Sequence, residues 1–405
     1  MLPDIQLSRR GGVIEFGWGH PDLPLLPVAG MAEAAALALT RDGPHALAYG
    51  AEQGPGCLIE QLVTWLARRE GVVPRPEQLF ITGGVSQALD LLCTLLTRPG
   101  DVVLVESPVY HLALRIFRDH GLELAPVTGD ADGLRVDALA DALDALRRQG
   151  RLPRFLYTAP TFGNPTGATM PLARRQVLVA LAQANGLTVL EDDVYRELWY
   201  DAPAPPSLYS LAPARQRGLA PDGGVIRLGS FSKILAPGLR LGWLLAAPDI
   251  VQRCVRSGML DSGGGVNHFT AHVVAAFMAL GLFDPHIEQL RGVYRQRRDA
   301  LLAALTQYMP AAAAWQTPGG GFFVWVQLPE GCDSAALLPA AEAAGVAYVP
   351  GARFCADGGG ARHVRLAFSL LRPDELAEGA RRLGDVVRGA WCVVRGAWSV
   401  ERGCL

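Results

Sequence analysis

The sequence predicts an α/β fold: a large domain on a mostly parallel, seven-stranded sheet, then a smaller α+β domain. Three observations predict it. The chain has 405 residues, a length that suits two domains. From about residue 45 to 250, apolar runs alternate with helix-period segments, and the runs are apolar nearly throughout. Strands of that kind are covered on both faces, as in a parallel sheet flanked by helices. Beyond residue 315 the rhythm changes to strand, helix, strand, strand, helix.

The elements follow in order. Residues 1–30 are Pro-rich and read as a short extended segment. The apolar runs Leu79–Thr82, Val102–Val105, Leu122–Pro126, Phe155–Thr158, Thr188–Glu191, Val225–Leu228 and Leu241–Ala246 read as the seven strands. Helical patterns between them cover Leu58–Arg69, Gln87–Leu96, His111–His120, Val136–Arg147 and Leu172–Asn185. A long helical pattern follows over Pro285–Gln307. The second rhythm is strand Gly321–Leu328, helix Ser334–Ala344, strands Val346–Val349 and His363–Phe368, and helix Pro373–Val387. These place an N-terminal segment at 1–30, a large domain at 31–285, a small domain at 286–390 and a tail at 391–405. In that region Val386-Val387-Arg388-Gly389-Ala390-Trp391 recurs as Val393-Val394-Arg395-Gly396-Ala397-Trp398. Each copy holds a glycine, which weakens a helix by about 1 kcal/mol, so the end reads as a frayed tail or a packing extra.

Composition narrows the function. The net charge of −2 implies neither a nucleic-acid nor an anionic-membrane partner. No apolar run reaches membrane-spanning length, and the N-terminus carries no basic or apolar targeting pattern. The seven cysteines are odd in number and include no C-x-x-C pair, which argues against a zinc or disulfide framework and for a reducing, cytoplasmic setting. No metal site is expected.

The chemistry concentrates around Lys233, in Ser230-Phe231-Ser232-Lys233-Ile234-Leu235-Ala236-Pro237-Gly238-Leu239-Arg240. An amine after a buried strand is costly to keep charged, so its pKa should fall. Such a lysine forms Schiff bases with carbonyls. Ser230, Ser232 and Arg240, folded back by the Pro237-Gly238 turn, suit a phosphate. In Thr82-Gly83-Gly84-Val85-Ser86, a strand turns into a helix whose first N–H groups, at Gly84, Val85 and Ser86, suit the same anion. An amine for an aldehyde and a cup for a phosphate together point to pyridoxal 5'-phosphate.

Other groups sit after strands, where open α/β sheets bind ligands. Asp192, in Glu191-Asp192-Asp193-Val194-Tyr195, is placed to keep a pyridine nitrogen protonated. Asp193 is the alternative, with a helix cap as its simpler role, and Glu191 reads as structural. Tyr195 and the amide of Asn164, in the tight Asn164-Pro165-Thr166-Gly167 loop, reach a phenolic oxygen. Tyr110 is placed to stack on a ring, and His111 beside it reads as a surface or helix-start residue. Arg365, inside the strand His363–Phe368, is unusual unless it meets an anion, and a guanidinium grips a carboxylate bidentately. Arg353 and Arg362 are expected to be exposed.

Carrying these residues, the chain resembles the class I/II aminotransferases, fold-type I pyridoxal-phosphate enzymes. The resemblance spans about residues 12–388 and rests chiefly on Ser230 to Trp243 and Asn164–Gly167. It is most similar to the 2-aminoadipate and aromatic aminotransferases and to the aminotransferase-like half of MocR regulators. Gly319-Gly320-Gly321-Phe322-Phe323 and Tyr49-Gly50-Ala51-Glu52-Gln53-Gly54 also match that group. The resemblance implies a Lys233 Schiff base, Asp192 at the pyridine nitrogen, Asn164 and Tyr195 at the phenolic oxygen, and Arg365 and Asn164 at the substrate carboxylate. It implies that Gly19 belongs to a segment closing over substrate. It also implies a homodimer in which Tyr49 reaches the partner's phosphate. Two departures stand out: Val109 in the Pro-x-Tyr motif, and the Gly-rich stretch before Asn267 and His268. Either of those two reads the substrate side chain, or His268 simply packs.

The expected reaction is transfer of an amino group from an L-amino acid to a 2-oxo acid. The alternative keeps the cofactor but performs β-elimination (a C–S lyase), decarboxylation-coupled deamination or oxidation. A MocR-type regulator is disfavoured, because the aminotransferase-like pattern begins by about residue 12 and leaves no room for a winged helix. One arginine for a substrate carboxylate is visible and a second is not, which favours an apolar or aromatic donor over aspartate.

Overall fold

The computed structural model describes residues 5–7, 10–71, 73–213 and 224–402. Its strands, in chain order, are β1 (Ile14–Glu15), β2 (Leu79–Thr82), β3 (Val102–Ser107), β4 (Glu123–Asp130), β5 (Gly133–Leu134), β6 (Phe155–Thr158), β7 (Thr188–Asp192), β8 (Gly224–Ser230), β9 (Gly242–Leu245), β10 (Ala314–Trp315), β11 (Phe323–Gln327), β12 (Val346–Ala347), β13 (Val349–Pro350) and β14 (His363–Ala367).

Eight of these form the large sheet, in the order β2-β9-β8-β7-β6-β3-β4-β5. Strands β4, β3, β6, β7 and β8 run parallel, while β9 is antiparallel to both β8 and β2. The seven expected strands are all present, and two-residue β5 adds an eighth. Every residue of β2, β3, β6 and β9 is buried, as near-continuous apolar runs require. Helices cover both faces, with one core cluster on each side.

The smaller sheet is antiparallel, β10-β11-β14-β13. The single strand expected over 346–349 is in fact two. β12 pairs with β1, and β13 pairs with β14, because the N-terminal segment claims the first half. Between them Tyr348 turns inward and its hydroxyl donates to the Ser334 carbonyl at 2.8 Å. Thus the first residues of the chain are stitched onto the smaller sheet.

Among the described residues, five α-helices escaped the sequence reading: the short Leu208–Leu211, Pro248–Val255 and Gly258–Gly263, and two longer ones. Val28–Asp42 is Ala-rich, and His268–Ala279 is apolar nearly all round, so neither displays a sharp amphipathic stripe. They pack against each other. The C-terminal helix also departs from expectation. Its backbone runs unbroken from Pro373 to Arg402, through both copies of the repeat, instead of fraying after residue 390. Leu376, Ala380, Leu383 and Val387 anchor its buried face, which outweighs the glycine cost.

Beneath the sheet edge lies a buried ion network. Glu70 accepts from Arg196 at 2.6 Å and pairs with Arg227 at 3.1 Å, while Arg227 also holds Asp193 at 2.8 Å. Burial alone would raise the Glu70 carboxyl, but Arg227, Arg196 and the Ser207 hydroxyl hold it at about 2. That stabilisation is present above the ordinary value of 4.5 and is lost as pH falls toward 2. Glu70→Gln is therefore expected to cost about 3–5 kcal/mol at pH 7, because it leaves buried guanidinium uncompensated. Urea unfolding at pH 7 and near pH 2.5 checks this, and the difference between variant and parent should shrink at the lower pH.

Candidate active site

Parallel register brings the strand ends of the large sheet to one edge. Val105 lies beside Tyr157, Thr158 beside Glu191, and Asp192 beside Leu228. The loops that follow β3, β6, β7 and β8 carry Tyr110, Asn164, Tyr195 and Lys233, so chain segments far apart in sequence converge there.

Lys233 is the sole lysine of the chain. It follows β8 in a turn, and its Nζ donates to the Gly19 carbonyl at 3.1 Å. The rings of Phe322 and Tyr195 lie 5.8 and 6.0 Å from Nζ. Burial lowers its pKa to about 8, Arg365 and Arg240 push the same way, and Asp192 opposes them. The amine is therefore substantially neutral near pH 8, as a nucleophile or base must be.

Asp192 ends β7. Its Oδ2 accepts from the Tyr157 hydroxyl at 2.5 Å, and its Oδ1 is buried without a partner. Burial raises this carboxyl to about 6 against the Tyr157 hydrogen bond, so it is an anion above that pH. Asp193 is engaged elsewhere, by Arg227 and Arg196. Glu191 caps the next turn, accepting from the Leu208 and Tyr209 amides at 2.7 and 3.0 Å. The choice left open between the two aspartates thus favours Asp192, and Glu191 is structural.

Arg365 on β14 is 4% exposed. Its Nη1 donates to Asn164 Oδ1 at 3.1 Å and its Nη2 to the Gly17 carbonyl at 2.6 Å, while Nε is buried and unpartnered. Phe323 and Phe354 lie against the guanidinium at 4.4 and 5.0 Å. Burial lowers its pKa to about 10, which Tyr195 and Tyr110 offset in part. A buried guanidinium whose described bonds go to neutral oxygens keeps the capacity to bind an anion.

At the far end, Gly84 starts the helix Val85–Leu96 with φ 92° and no side-chain cap. A Cβ there would lie 3.1 Å from Arg240 Nη2, which itself donates to the Gly83 carbonyl at 3.2 Å. Ser230 is buried and accepts from the Ser232 amide at 3.0 Å. The uncapped amides of Val85 and Ser86, the two hydroxyls and Arg240 make an anion cup. The orphaned Asp192 oxygen, the depressed amine and this cup together fit a phosphate-bearing pyridine aldehyde.

Supporting residues went unread in the sequence. Tyr157 sat inside a strand pattern, although a buried tyrosine hydroxyl needs a partner. Fully buried Arg175 donates to the carbonyls of Met170 and Pro160 at 2.8 and 2.7 Å and to Thr161 Oγ1 at 3.0 Å, which fixes the loop that carries Asn164. Gly19 needs to be glycine, since a Cβ would come 2.6 Å from Phe323. Beside it, Trp18 and His20 meet edge-on at 5.2 Å. Burial, with Lys233 and Arg365 nearby, drives His20 down to about 4, so the imidazole is neutral.

Tyr110 is half-buried and meets His111 edge-on at 5.7 Å, and His111 opens its helix, half-buried rather than on the surface. Arg353 is exposed, but Arg362 is half-buried and donates to the Leu328 carbonyl at 3.3 and 3.0 Å. His268 packs away from Lys233, against Gly50, with Nε2 at 2.9 Å from the His45 carbonyl. Asn267, at φ 52°, donates to the Arg240 carbonyl. Tyr49 stands 89% exposed on the surface, outside its own chain's cluster.

Residues 12–383 match the family described as aminotransferase class I and II. The chain is 38% identical over 387 residues to a 2-aminoadipate transaminase from Thermus thermophilus, covering 95% of this chain and 92% of that one. It is 34% identical to aromatic-amino-acid aminotransferase 1 from Thermococcus litoralis, covering 95% and 90%. Among solved structures it is similar to LysN, an α-aminoadipate aminotransferase from Thermus thermophilus complexed with N-(5'-phosphopyridoxyl)-L-leucine. There the TM-score is 0.83 at 36% identity, over 95% and 94% of the two chains.

With one lysine in the sequence, acylation of the cofactor-free protein reports on Lys233 directly. Its rate against pH should show a midpoint near 8, read by residue-level mass spectrometry. Arg365→Met should raise that midpoint by removing a positive neighbour, and Asp192→Asn should lower it.

Proposed function

The chain belongs to the class I and II aminotransferases, and from that premise we propose how its residues divide the work. It is a pyridoxal-phosphate-dependent enzyme that transfers the amino group of an L-amino acid to a 2-oxo acid. When bound, the cofactor supplies an electrophilic aldehyde and a protonated pyridine ring that absorbs electrons. Lys233 would hold that aldehyde through its amine and, once free, would carry the proton at the substrate Cα. Positioned proton transfer of this kind is worth about 10²–10⁴-fold. Asp192, oriented by Tyr157, would face the ring nitrogen. Asn164 and Tyr195 would bind the ring hydroxyl, and Tyr110 would pack on the ring. Gly84, Val85, Ser86, Ser230, Ser232 and Arg240 would hold the phosphate. Arg365, set by Asn164, binds the substrate carboxylate, and Gly19 closes over it. The observation that carries this reading is a depressed, solitary amine near a carboxylate with one buried oxygen unpartnered and a guanidinium whose described bonds go to neutral oxygens.

The donor follows from the charges. The cations that reach Lys233 are Arg365 and Arg240, and Arg240 lies at the anion cup. Around Arg365 stand Phe323 and Phe354, with the edge-on Trp18 and His20 on the neighbouring segment. We therefore place the donor among apolar and aromatic amino acids. The Thermococcus litoralis relative carries an aromatic amino acid in its name, and the Thermus thermophilus relative carries 2-aminoadipate.

Tyr49 acts in a homodimer, reaching the partner's phosphate. Its exposure, with Val28 at 74% and Leu47 at 68%, supports an interface there. Residues 1–30 serve as a closing segment, 31–285 as the cofactor domain, 286–390 as the small domain and 391–405 as a tail. No single helix among the described residues is long and apolar enough to cross a membrane. The six described cysteines are free, which supports a cytoplasmic setting.

Two measurements test this. In a donor panel with 2-oxoglutarate, phenylalanine, tyrosine or leucine should exceed aspartate by at least tenfold in kcat/KM. Lys233→Ala should lose at least about 10²–10⁴-fold. Asp192→Asn should lower kcat, whereas Asp193→Asn should lower stability first. Release of ammonia and pyruvate without a 2-oxo acid would instead show elimination. For the dimer, inactive Lys233→Ala and impaired Tyr49→Ala chains should regain activity when mixed and reassembled, since one site per hybrid is then complete.

A further inference from the structure

We infer that Asp42, Cys57 and His272 form a binding site for a thiophilic divalent cation, Zn²⁺ by its chemistry, built from residues that the proposed reaction does not use. Asp42 ends the helix Val28–Asp42, Cys57 lies in the first turn of Gly56–Glu70, and His272 lies one turn into His268–Ala279. One ligand atom from each falls within 4.8 Å of the other two. His272 Nδ1 lies 2.6 Å from Asp42 Oδ2 and 3.7 Å from Cys57 Sγ.

Hydrogen bonding accounts for only part of this arrangement. A neutral imidazole has one proton, and at Nδ1 it serves the Asp42 contact, leaving Cys57 turned toward a nitrogen already engaged.

One nitrogen, one sulfur and one oxygen are the donors of three-ligand zinc sites, with a fourth position left for water. Ideal bond lengths put sulfur and nitrogen about 3.5 Å apart around zinc, close to the spacing seen. The carboxylate and imidazole would part by under about 1 Å. The outer shell is also in place. Arg41 donates to Asp42 at 2.7 and 2.9 Å and orients the carboxylate. His268 meets His272 edge-on at 4.6 Å. Asp42 and Cys57 are half-buried, which leaves an entry path. Binding breaks the Cys57 S–H bond, forms a metal–sulfur bond and releases that proton, with no electron transferred. His272 coordinates through Nδ1 with its proton on Nε2. The positions 42, 57 and 272 make no local motif, so the sequence alone shows none.

This inference stands apart from the transamination reading. Its test uses the holoenzyme, stripped with a chelator and titrated with Zn²⁺ by calorimetry and equilibrium dialysis. The expected result is one tightly held zinc per chain, a proton released on binding, and one sulfur in the zinc X-ray absorption spectrum. Cys57→Ser and His272→Ala should each weaken binding by at least about 100-fold, more than second-shell changes cost. Circular dichroism and donor turnover should match the parent in Cys57→Ser. Binding unchanged in both variants, absence of the sulfur scatterer, or no zinc retained by the folded parent would each overturn the site.

Discussion

The site depends on one electrostatic constraint, an amine kept out of water without being neutralised. The Lys233 amine lies among Phe322, Tyr195 and the Gly19 carbonyl, within the electrostatic reach of the Asp192 carboxylate and of the Arg365 and Arg240 guanidinium groups. Each neighbour has a sign. Burial, Arg365 and Arg240 favour the neutral amine, and Asp192 restrains them. A fully paired lysine would be inert, whereas one without Asp192 would lose part of the local balance that sets its basicity.

Holding those charges requires a stiff floor. The same sheet edge that carries Asp192 also buries Asp193, Arg227, Arg196 and Glu70 as a mutually paired set. Such pairs add little net stability compared with apolar packing, but breaking them is costly, so they define where each partner sits. Adjacent aspartates therefore have opposite fates: Asp192 closes β7 and accepts from Tyr157, while Asp193, the first residue past the strand, turns to Arg227 and Arg196. Arg175 does comparable work for the Asn164 loop, through hydrogen bonds to backbone oxygens beside a buried pairing with Glu191 at 3.9 Å.

The N-terminal segment links the domains to the chemistry. β1 pairs with β12, and two and four residues past its end the chain places the Gly17 and Gly19 carbonyls against Arg365 and Lys233. The guanidinium and the amine are thus both bonded to backbone oxygens of one short segment.

Strand positions were legible because buried parallel strands are apolar runs bounded by Gly, Asp or Pro, and Leu79–Thr82 and Phe155–Thr158 match residue for residue. The reactive groups were legible because each follows such a run, and local chemistry at Lys233, Asn164 and Arg240 is confined to a few residues. The helix His268–Ala279 was hidden because it is apolar all round, and Val346–Val349 split because pairing depends on which strand arrives beside it. By itself, the sequence determined the α/β sheet, the cofactor chemistry and the candidate residues, since periodicity and side-chain type are local. Tertiary structure alone decided that Asp192 rather than Asp193 keeps a free oxygen, that Tyr157 orients it, and that Asp42, Cys57 and His272 meet. Those outcomes depend on through-space distances between segments up to 230 residues apart, which no local pattern encodes.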